Sequence, residues 1–393
     1  MSPSTAWSSY SLVKEPHDLW TGRLPAEAAH APRVEPRETG PQWVVDDGRP
    51  FGASEDPPLV ADPSPATTVD VAREHLARHG LAASVLFPDV ARRSYRALHG
   101  DRLAEALRCY NDWVLDLAAG LPGQLLPVTL LDPQDPSRAL AELERTARRG
   151  AAACSLPLCA DDTGRYDDPR YEPLFSALAA LGRPLCFQAG TVFRAATLAK
   201  PFDTASHQRP DEDPLFQAIY AAVESSYVLI TLAALVFSGV AARVPGLRVV
   251  VAGFDAGWFP YLATRFDEMY EVRPERLGPS PAGAVPHTDP LEERFRMATE
   301  YRGYAFPKGE RPSDHLRRLV SAVSTLPPLD LEAYPLVGAQ RLLWGTGARV
   351  STDAGEPAVR VDERLRGAGV EAEARRQLLA ANARALFGGE RRA

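Results

Sequence analysis

The chain has 393 residues, of which 45% are apolar and 24% charged, and its net charge at pH 7 is −7. This length suits two average domains or one large α/β barrel, and the composition excludes collagenous, disulfide-rich and wholly disordered chains. The acidic balance also argues against a nucleic-acid partner and against binding to an anionic membrane, because both need a surplus of basic side chains.

The 36 prolines are the unusual count, since prolines ordinarily make up about 5% of a chain. Many of them fall in residues 1–65, which we expect to wrap around a core more than to build it. The sequence starts without the charged and then apolar pattern of a signal peptide. Its longest apolar stretch, Tyr227 to Ala242, is too short and too interrupted for a membrane span. These features predict a cytoplasmic protein with no membrane partner.

Short apolar runs that favour strands alternate along the chain with longer stretches typical of helices. We predict eight strands, over Ser9–Lys14, Ser84–Pro88, Leu125–Leu131, Ala151–Pro157, Pro184–Gly190, Arg248–Gly253, Leu319–Leu326 and Arg341–Thr346. Their near-continuous apolar character is expected of parallel strands that are buried on both faces. Helices are predicted over Asp101–Ala119, Pro136–Arg149, Pro169–Leu181, Ala218–Arg243 and Glu371–Leu386.

Eight such alternations predict a (β/α)8 TIM barrel that forms a single domain over 1–393, with 1–65 as its proline-rich N-terminal extension. A doubly wound open sheet is the alternative, although no glycine-rich phosphate-binding motif follows any predicted strand. Residues 269–312 are rich in proline, glycine and charge, and we predict an insert there with a helix around Leu291–Tyr304. The insert would pack over the barrel mouth or against a partner.

Seven short strings, in the right order and over almost the whole chain, resemble one family. They are EPHDLWTGRLP from Glu15, CYNDW from Cys109, FSGVAARVPGLRVVV from Phe237, AGWFPYLATRFD from Ala256, PSDHLR from Pro312, LLWG from Leu342 and NARAL from Asn382. Together they resemble the amidohydrolase-related (amidohydrolase 2) family, which includes aminocarboxymuconate-semialdehyde decarboxylase-like enzymes. This resemblance implies a barrel of the metal-dependent hydrolase type.

The resemblance also implies a divalent metal, usually zinc, at the carboxyl end of the barrel. The positions that would hold its ligands are Tyr10 and Leu12 on strand 1, Gln188 on strand 5, Gly253 on strand 6 and Gly347 after strand 8. Three of these side chains have no donor atom, glutamine is a poor ligand for zinc, and tyrosine is a rare one. We therefore interpret the chain as a divergent member with a degenerate metal site, and we predict no cofactor.

Several polar residues near the predicted strand ends remain candidates for catalysis. Asp255 follows strand 6 beside aromatic residues that would raise its pKa, so it is the first candidate for a general acid or base. Its alternative role is an ordinary hydrogen bond within a loop or an ion pair with an arginine. Tyr10 and Gln188 would polarise a substrate and move protons, and Glu224 and His17 complete the candidate catalytic set.

Two further interpretations concern the surroundings of these residues. Glu15, His17, Glu224 and Asp255 could form a relocated metal site. The preferred interpretation is that Glu15 pairs with an arginine and that His17 only occupies the family's proline position. The predicted pocket wall consists of Trp258, Trp344, Phe254 and Thr346. Ordinary core packing is the alternative for the aromatic members.

Three functions stay open on the sequence. The first is a metal-independent enzyme that carries out acid–base, cyclisation, isomerisation or decarboxylation chemistry on a small organic substrate in bacterial specialised metabolism. The second is a catalytically inactive subunit that partners an intact paralogue in a heteromer. A homodimer is the other assembly that stays open. The third is a metal-dependent hydrolase or decarboxylase with relocated ligands.

Overall fold

The computed structural model describes residues 5–25, 28–51, 59–159, 165–191, 225–272, 304, 306–352 and 354–388. Within them, eight parallel strands form one sheet in the order in which they occur along the chain. They are β1 (Ala6–Val13), β2 (Leu81–Pro88), β3 (Leu125–Leu130), β4 (Ala153–Leu156), β5 (Leu185–Gln188), β6 (Val249–Ala252), β7 (Val320–Ser324) and β8 (Leu342–Trp344). All eight predicted strands are present.

The first and last strands meet near their carboxyl ends. The Leu12 N–H donates to the Ala348 carbonyl at 2.9 Å, and the Val350 N–H donates back to the Leu12 carbonyl at 2.8 Å. At the same seam, the Gly347 N–H donates to the carbonyl of Tyr10 at 3.1 Å. The sheet is therefore a nearly closed barrel, and the prediction of a TIM barrel over an open sheet is confirmed.

Helices follow most strands, as the alternating pattern predicts. Their bounds are Val69–His79, Gly100–Ala119, Pro136–Arg148, Glu172–Leu181, Ser225–Phe237, Val240–Arg243, Trp258–Val272, Pro312–Leu319, Pro328–Val337, Ala358–Gly367, Ala372–Arg376 and Asn382–Phe387. The predicted helix Ala218–Arg243 is interrupted at Gly239, whose φ of +82° ends the regular helical path. Residues 218–224 and most of the predicted insert, including 291–303, lie outside the described residues. No helix among the described residues is both long and apolar enough to cross a membrane.

Alternate residues of each strand face the barrel interior or the surrounding helices, as strand geometry requires. Tyr10, Phe87, Val250, Val323 and Leu343 belong to one buried apolar cluster in the interior. A larger cluster lies between the outer faces of the strands and the helices. Outside β1, whose register shifts between Ser8 and Ser11, a strand residue is thus assigned to the interior or to the outer layer by its position in this alternation.

The proline-rich front contributes more than a wrapping segment. Besides β1 it contains a three-stranded antiparallel sheet of Arg33–Glu35, Gln42–Val45 and Arg49–Pro50. The rings of Trp43 and Phe51 pack edge-on against Trp20, with centroids 5.5 and 5.6 Å away. All three side chains are buried, so residues 1–65 also build core around the first barrel strand.

Candidate functional site

A cavity of about 260 Å³ lies at the carboxyl ends of β6, β7, β8 and β1. It is lined by Tyr10, Gly253, Asp255, Val323, Ser324, Thr325, Gly345 and Gly347. The carboxyl ends of the strands carry the active site in TIM-barrel enzymes. The fold thus brings two sequence-predicted candidates, Tyr10 and Asp255, to one cavity, together with two of the positions that correspond to the family's metal ligands.

Three glycines that line this cavity pack closely against neighbouring residues. A Cβ atom on Gly345 would lie 2.7 Å from the Cβ of Tyr10, and one on Gly253 would lie 2.8 Å from the Cβ of Ala189. At Gly347 the backbone has a φ of +64°, and a Cβ would lie 2.9 Å from the methyl group of Thr325. A ligating aspartate or histidine at positions 253 or 347 would therefore clash with its neighbours unless the surrounding structure shifted.

Asp255 has an unusual backbone conformation, with a φ of +52°. Its Oδ1 accepts hydrogen bonds from the N–H and the hydroxyl of Thr325, each at 3.1 Å, while its carbonyl accepts from the indole N–H of Trp258 at 3.0 Å. Its Oδ2 makes no bond within the described part of the chain. Non-glycine residues in the left-handed region are uncommon and are concentrated at functional sites, so the strain itself marks Asp255 as a candidate.

Asp330, which the sequence did not single out, holds the Asp255 loop from behind. This buried carboxylate accepts the N–H of Ala256 at 2.8 Å and the hydroxyl of Ser324. Burial raises the pKa of Asp330, the charge of Asp255 raises it further, and the hydrogen bond from Ser324 opposes this shift. Because Ala256 directly follows Asp255, Asp330 fixes the turn that presents the Asp255 carboxylate.

Gln188 links Tyr10 to the opposite wall of the barrel. Its Nε2 donates to the carbonyl of Pro88 at 2.9 Å and lies 3.4 Å from the Tyr10 hydroxyl. Since a carbonyl can only accept, the bond to Pro88 fixes which way the amide points. Its Oε1 is buried without a donor among the described residues. The Tyr10 ring also packs edge-on against Phe87, with centroids 5.0 Å apart.

Arg92 makes a second link across the same side of the mouth. Its Nε donates to the carbonyl of Asp89 at 2.9 Å and its Nη1 to the carbonyl of Ala189 at 2.7 Å. Asp89 follows β2 and Ala189 follows β5, so the guanidinium spans β3 and β4. No sequence motif pointed to Arg92, because both of its acceptors are backbone carbonyls.

The predicted pocket wall lies largely elsewhere. Trp344 faces the outer layer, since Leu343 takes the interior position, and Trp258 and Phe254 also pack in that layer. The Thr346 hydroxyl belongs to a buried hydrogen-bond network at the β1–β8 seam, 3.1 Å from the Ser11 hydroxyl. None of these four residues lines the cavity, so for the three aromatic residues the alternative of core packing holds.

His17 and Glu15 are likewise away from the cavity. The exposed His17 ring packs edge-on against Trp43, with centroids 5.6 Å apart. Glu15 has no arginine partner among the described residues, and its carboxylate accepts the backbone N–H groups of Asp89, Val90 and Ala91 at 3.0–3.1 Å. Burial and the charge of Asp89 raise the pKa of Glu15 to about 7, although these hydrogen bonds lower it.

The described residues do not fit the metal site that the resemblance implies. Among them, no three His, Cys, Asp or Glu side chains lie close enough together to hold an ion. Of the described residues that line the cavity, the polar side chains are one carboxylate, one phenol and two hydroxyls, with no imidazole or thiolate. Glu224 lies outside the described residues, so its proposed part in a relocated site stays a prediction.

The sequence and the fold both match known amidohydrolases. The family model described as amidohydrolase matches residues 81–389, which is most of the chain. The chain belongs to the amidohydrolase family. No curated protein matches it at the sequence level.

Solved structures share this amidohydrolase fold at low sequence identity. An amidohydrolase from Mycobacterium avium subsp. paratuberculosis has a TM-score of 0.69 at 15% identity. The match covers 98% of this chain and 99% of that amidohydrolase. The apo IDCase of Metarhizium anisopliae has a TM-score of 0.67 at 19% identity and covers 100% of both chains. A dihydroxybenzoic acid decarboxylase from Polaromonas, with bound manganese and 2-nitroresorcinol, has a TM-score of 0.61 at 16% identity. The match covers 99% of this chain and 97% of the decarboxylase. The fold is thus one that decarboxylases use.

Proposed function

We propose that this amidohydrolase-family chain is an enzyme that transforms a small organic molecule by proton transfer and without a catalytic metal. The observation that carries the proposal is that Tyr10 and Asp255 line one cavity in which Gly253 and Gly347 occupy positions of the family's metal ligands. A phenol and a carboxylate are sufficient for general acid–base catalysis, which contributes about 10²- to 10⁴-fold in rate.

The roles follow from the contacts. Asp255 is the general base or acid, because one of its carboxylate oxygens is fixed by Thr325 while the other makes no bond within the described residues. The Tyr10 hydroxyl would polarise the substrate or carry the second proton. Gln188 and Asp330 act as positioning residues, since Gln188 contacts the Tyr10 hydroxyl and Asp330 holds the loop after Asp255. A cavity of about 260 Å³ suits a molecule of one ring, since a cavity of about 150 Å³ already holds benzene.

Metal content and turnover together test this proposal. We expect protein from zinc- and manganese-supplemented cells to hold far less than one metal ion per chain by elemental analysis. In a screen of single-ring carbonyl and hydroxyl compounds, we expect at least one to be converted at a rate that a chelator does not change. Asp255→Asn should lower that rate about 10²-fold or more, whereas the exposed control Asp70→Asn should not.

Three outcomes would favour the other hypotheses. Near-stoichiometric zinc, iron or manganese would support a metal-dependent enzyme with relocated ligands. Wild-type activity in Asp255→Asn would remove Asp255 from the mechanism. Absence of turnover, together with co-purification of a paralogue whose D-x-H motif is intact, would support the inactive-subunit hypothesis. The cytoplasmic location and a role in specialised metabolism stay predictions of the same proposal.

A further inference from the structure

The charge around the cavity bears on the kind of molecule it accepts. Of the described residues that line it, only Asp255 is charged, and none is a lysine, arginine or histidine. A second carboxyl group, Asp330, lies directly behind this wall and bonds to Ser324, which lines the cavity. The Asp255 carboxylate gives this wall of the cavity a negative potential, which repels an anion and attracts a cation.

The basic side chains described near the mouth belong to a separate cavity of about 90 Å³ beside Glu15. Arg349 pairs with Asp62 at 2.7 Å and with Asp89 at 2.6 Å. Lys14 lies 3.8 Å from Asp62, and Arg92 lies 3.6 Å from Asp89. These three cations share two carboxylates, and none of them lines the cavity that contains Asp255.

Acceptor oxygens without a donor also favour a ligand that carries N–H or O–H groups. Asp255 Oδ2 is an acceptor that no donor satisfies within the described residues, and an ionised carboxylate can only accept. A second acceptor without a donor in that part of the chain, Gln188 Oε1, lies next to the Tyr10 contact. A ligand that complements the Asp255 carboxylate must bring N–H or O–H donors, and a charged donor forms the stronger bond to it.

From this geometry we infer that the cavity binds a small molecule that carries a protonated amine, or a neutral molecule rich in N–H or O–H donors, and that it excludes carboxylates. The inference rests on the proposed function for its site and deepens it by naming the class of substrate. It separates this chain from the manganese-bound relative, whose name gives a benzoic acid as its substrate.

Three probes of equal size and different charge test the inference. Benzylamine, benzyl alcohol and benzoate are titrated into the full chain at neutral pH, with binding followed by calorimetry. We expect benzylamine to bind about tenfold more tightly than benzyl alcohol and benzoate to bind more weakly than both. Asp255→Asn should remove the preference for benzylamine over benzyl alcohol, and Asp255→Glu should retain it.

The outcomes separate this inference from the proposed function. Benzoate binding tightest, an unchanged ranking in Asp255→Asn, or no binding by any probe would overturn the inference. The wild-type ranking decides the matter even if Asp255→Asn fails to fold. If benzylamine binds best but no compound is ever converted, the substrate class stands and the proposed enzymatic function fails. If a carboxylate is converted, the substrate class is wrong and the enzymatic function stands.

Discussion

The two halves of the barrel mouth are built in opposite ways. The open half, formed by β6, β7, β8 and β1, has glycines at 253, 345 and 347 and leaves the cavity between them. The bridged half, from β2 to β5, is crossed by the links from Gln188 to Pro88 and from Arg92 to Ala189. Among the described residues, the larger space for a ligand thus lies on one side of the barrel, whereas hydrogen-bonded side chains cross the other side and leave only the cavity of about 90 Å³.

A substitution in the wall of the open half has the largest expected effect on stability. Gly345→Ala places a Cβ 2.7 Å from the Cβ and 2.9 Å from the backbone nitrogen of Tyr10. Because backbone atoms cannot move aside easily, we expect the free energy of unfolding to fall by about 3 kcal/mol in urea denaturation. The control Gly367→Ala, at a helix end with nothing within 4 Å, should be neutral or slightly stabilising. Equal losses in both variants would contradict the packing argument.

The second prediction concerns the base of the bridged half, where Glu15 holds the loop that carries Arg92. The pKa of Glu15 is raised to about 7, so the folded protein binds its proton more tightly than the unfolded chain does. The contribution of Glu15 to the free energy of unfolding should therefore fall as pH rises from 5 to 7, by about 2 kcal/mol if its unfolded pKa is ordinary. Urea denaturation across this range measures the slope.

Glu15→Gln removes the titrating group and is the matched variant for this prediction. The difference in stability between wild type and Glu15→Gln should shift by about 2 kcal/mol in favour of the variant as pH rises from 5 to 7, whatever the substitution does at a single pH. His75 acts in the opposite direction in both proteins, because burial lowers its pKa from 6.5 to about 3 and the unfolded chain therefore binds this proton more tightly in that range. Its contribution cancels when the two proteins are compared at the same pH. A slope that is the same in wild type and Glu15→Gln would show that Glu15 is not its source.

Breaking the inner link of the bridged half should have a smaller effect. Gln188→Leu leaves the carbonyl of Pro88 without its donor, and an unpaired buried carbonyl costs about 1 to 2 kcal/mol. The loss is limited because the variant also removes the unpaired Oε1. Urea denaturation measures it against Gln124→Leu, an exposed glutamine that should change stability little. No difference between the two would mean that the link is not stabilising.

Breaking the outer link should have the smallest effect. Arg92→Met keeps the aliphatic part of the side chain but loses both bonds to backbone carbonyls, so we expect a loss of about 1 kcal/mol. Amide hydrogen exchange at Gly190 should become faster, because the end of β5 loses its tie to β2. The exposed Arg73→Met is the control. Unchanged exchange at Gly190 would indicate that Gln188 alone holds the bridged half.

The barrel could be predicted from the sequence because buried parallel strands appear as continuous apolar runs. The meeting of Tyr10 and Asp255 was also accessible, since the carboxyl ends of parallel strands share one edge. The residues that form the wall of the cavity could not be predicted. Leu343 and Trp344 are both apolar, so the pattern does not say which of them faces the interior.

The side chains that were missed share one physical property. Arg92 and Asp330 act mainly on backbone groups of distant segments, and a backbone group has no signature in the sequence. Glu15 was expected to pair with an arginine and instead accepts three backbone N–H groups for the same reason. Such contacts depend on how strands from different parts of the chain are brought together.

The joining of β1 to β8 has a consequence for how the cavity comes into existence. Tyr10 lies near the start of the chain and Gly347 near its end, and a backbone hydrogen bond between them closes the seam beside the cavity. These two walls can meet only after the chain between them, which includes the six strands β2 to β7, has been synthesised. Contacts of such long sequence separation form late and slowly. A nascent or truncated chain therefore has no ligand site, and binding competence arrives only with the last barrel strand.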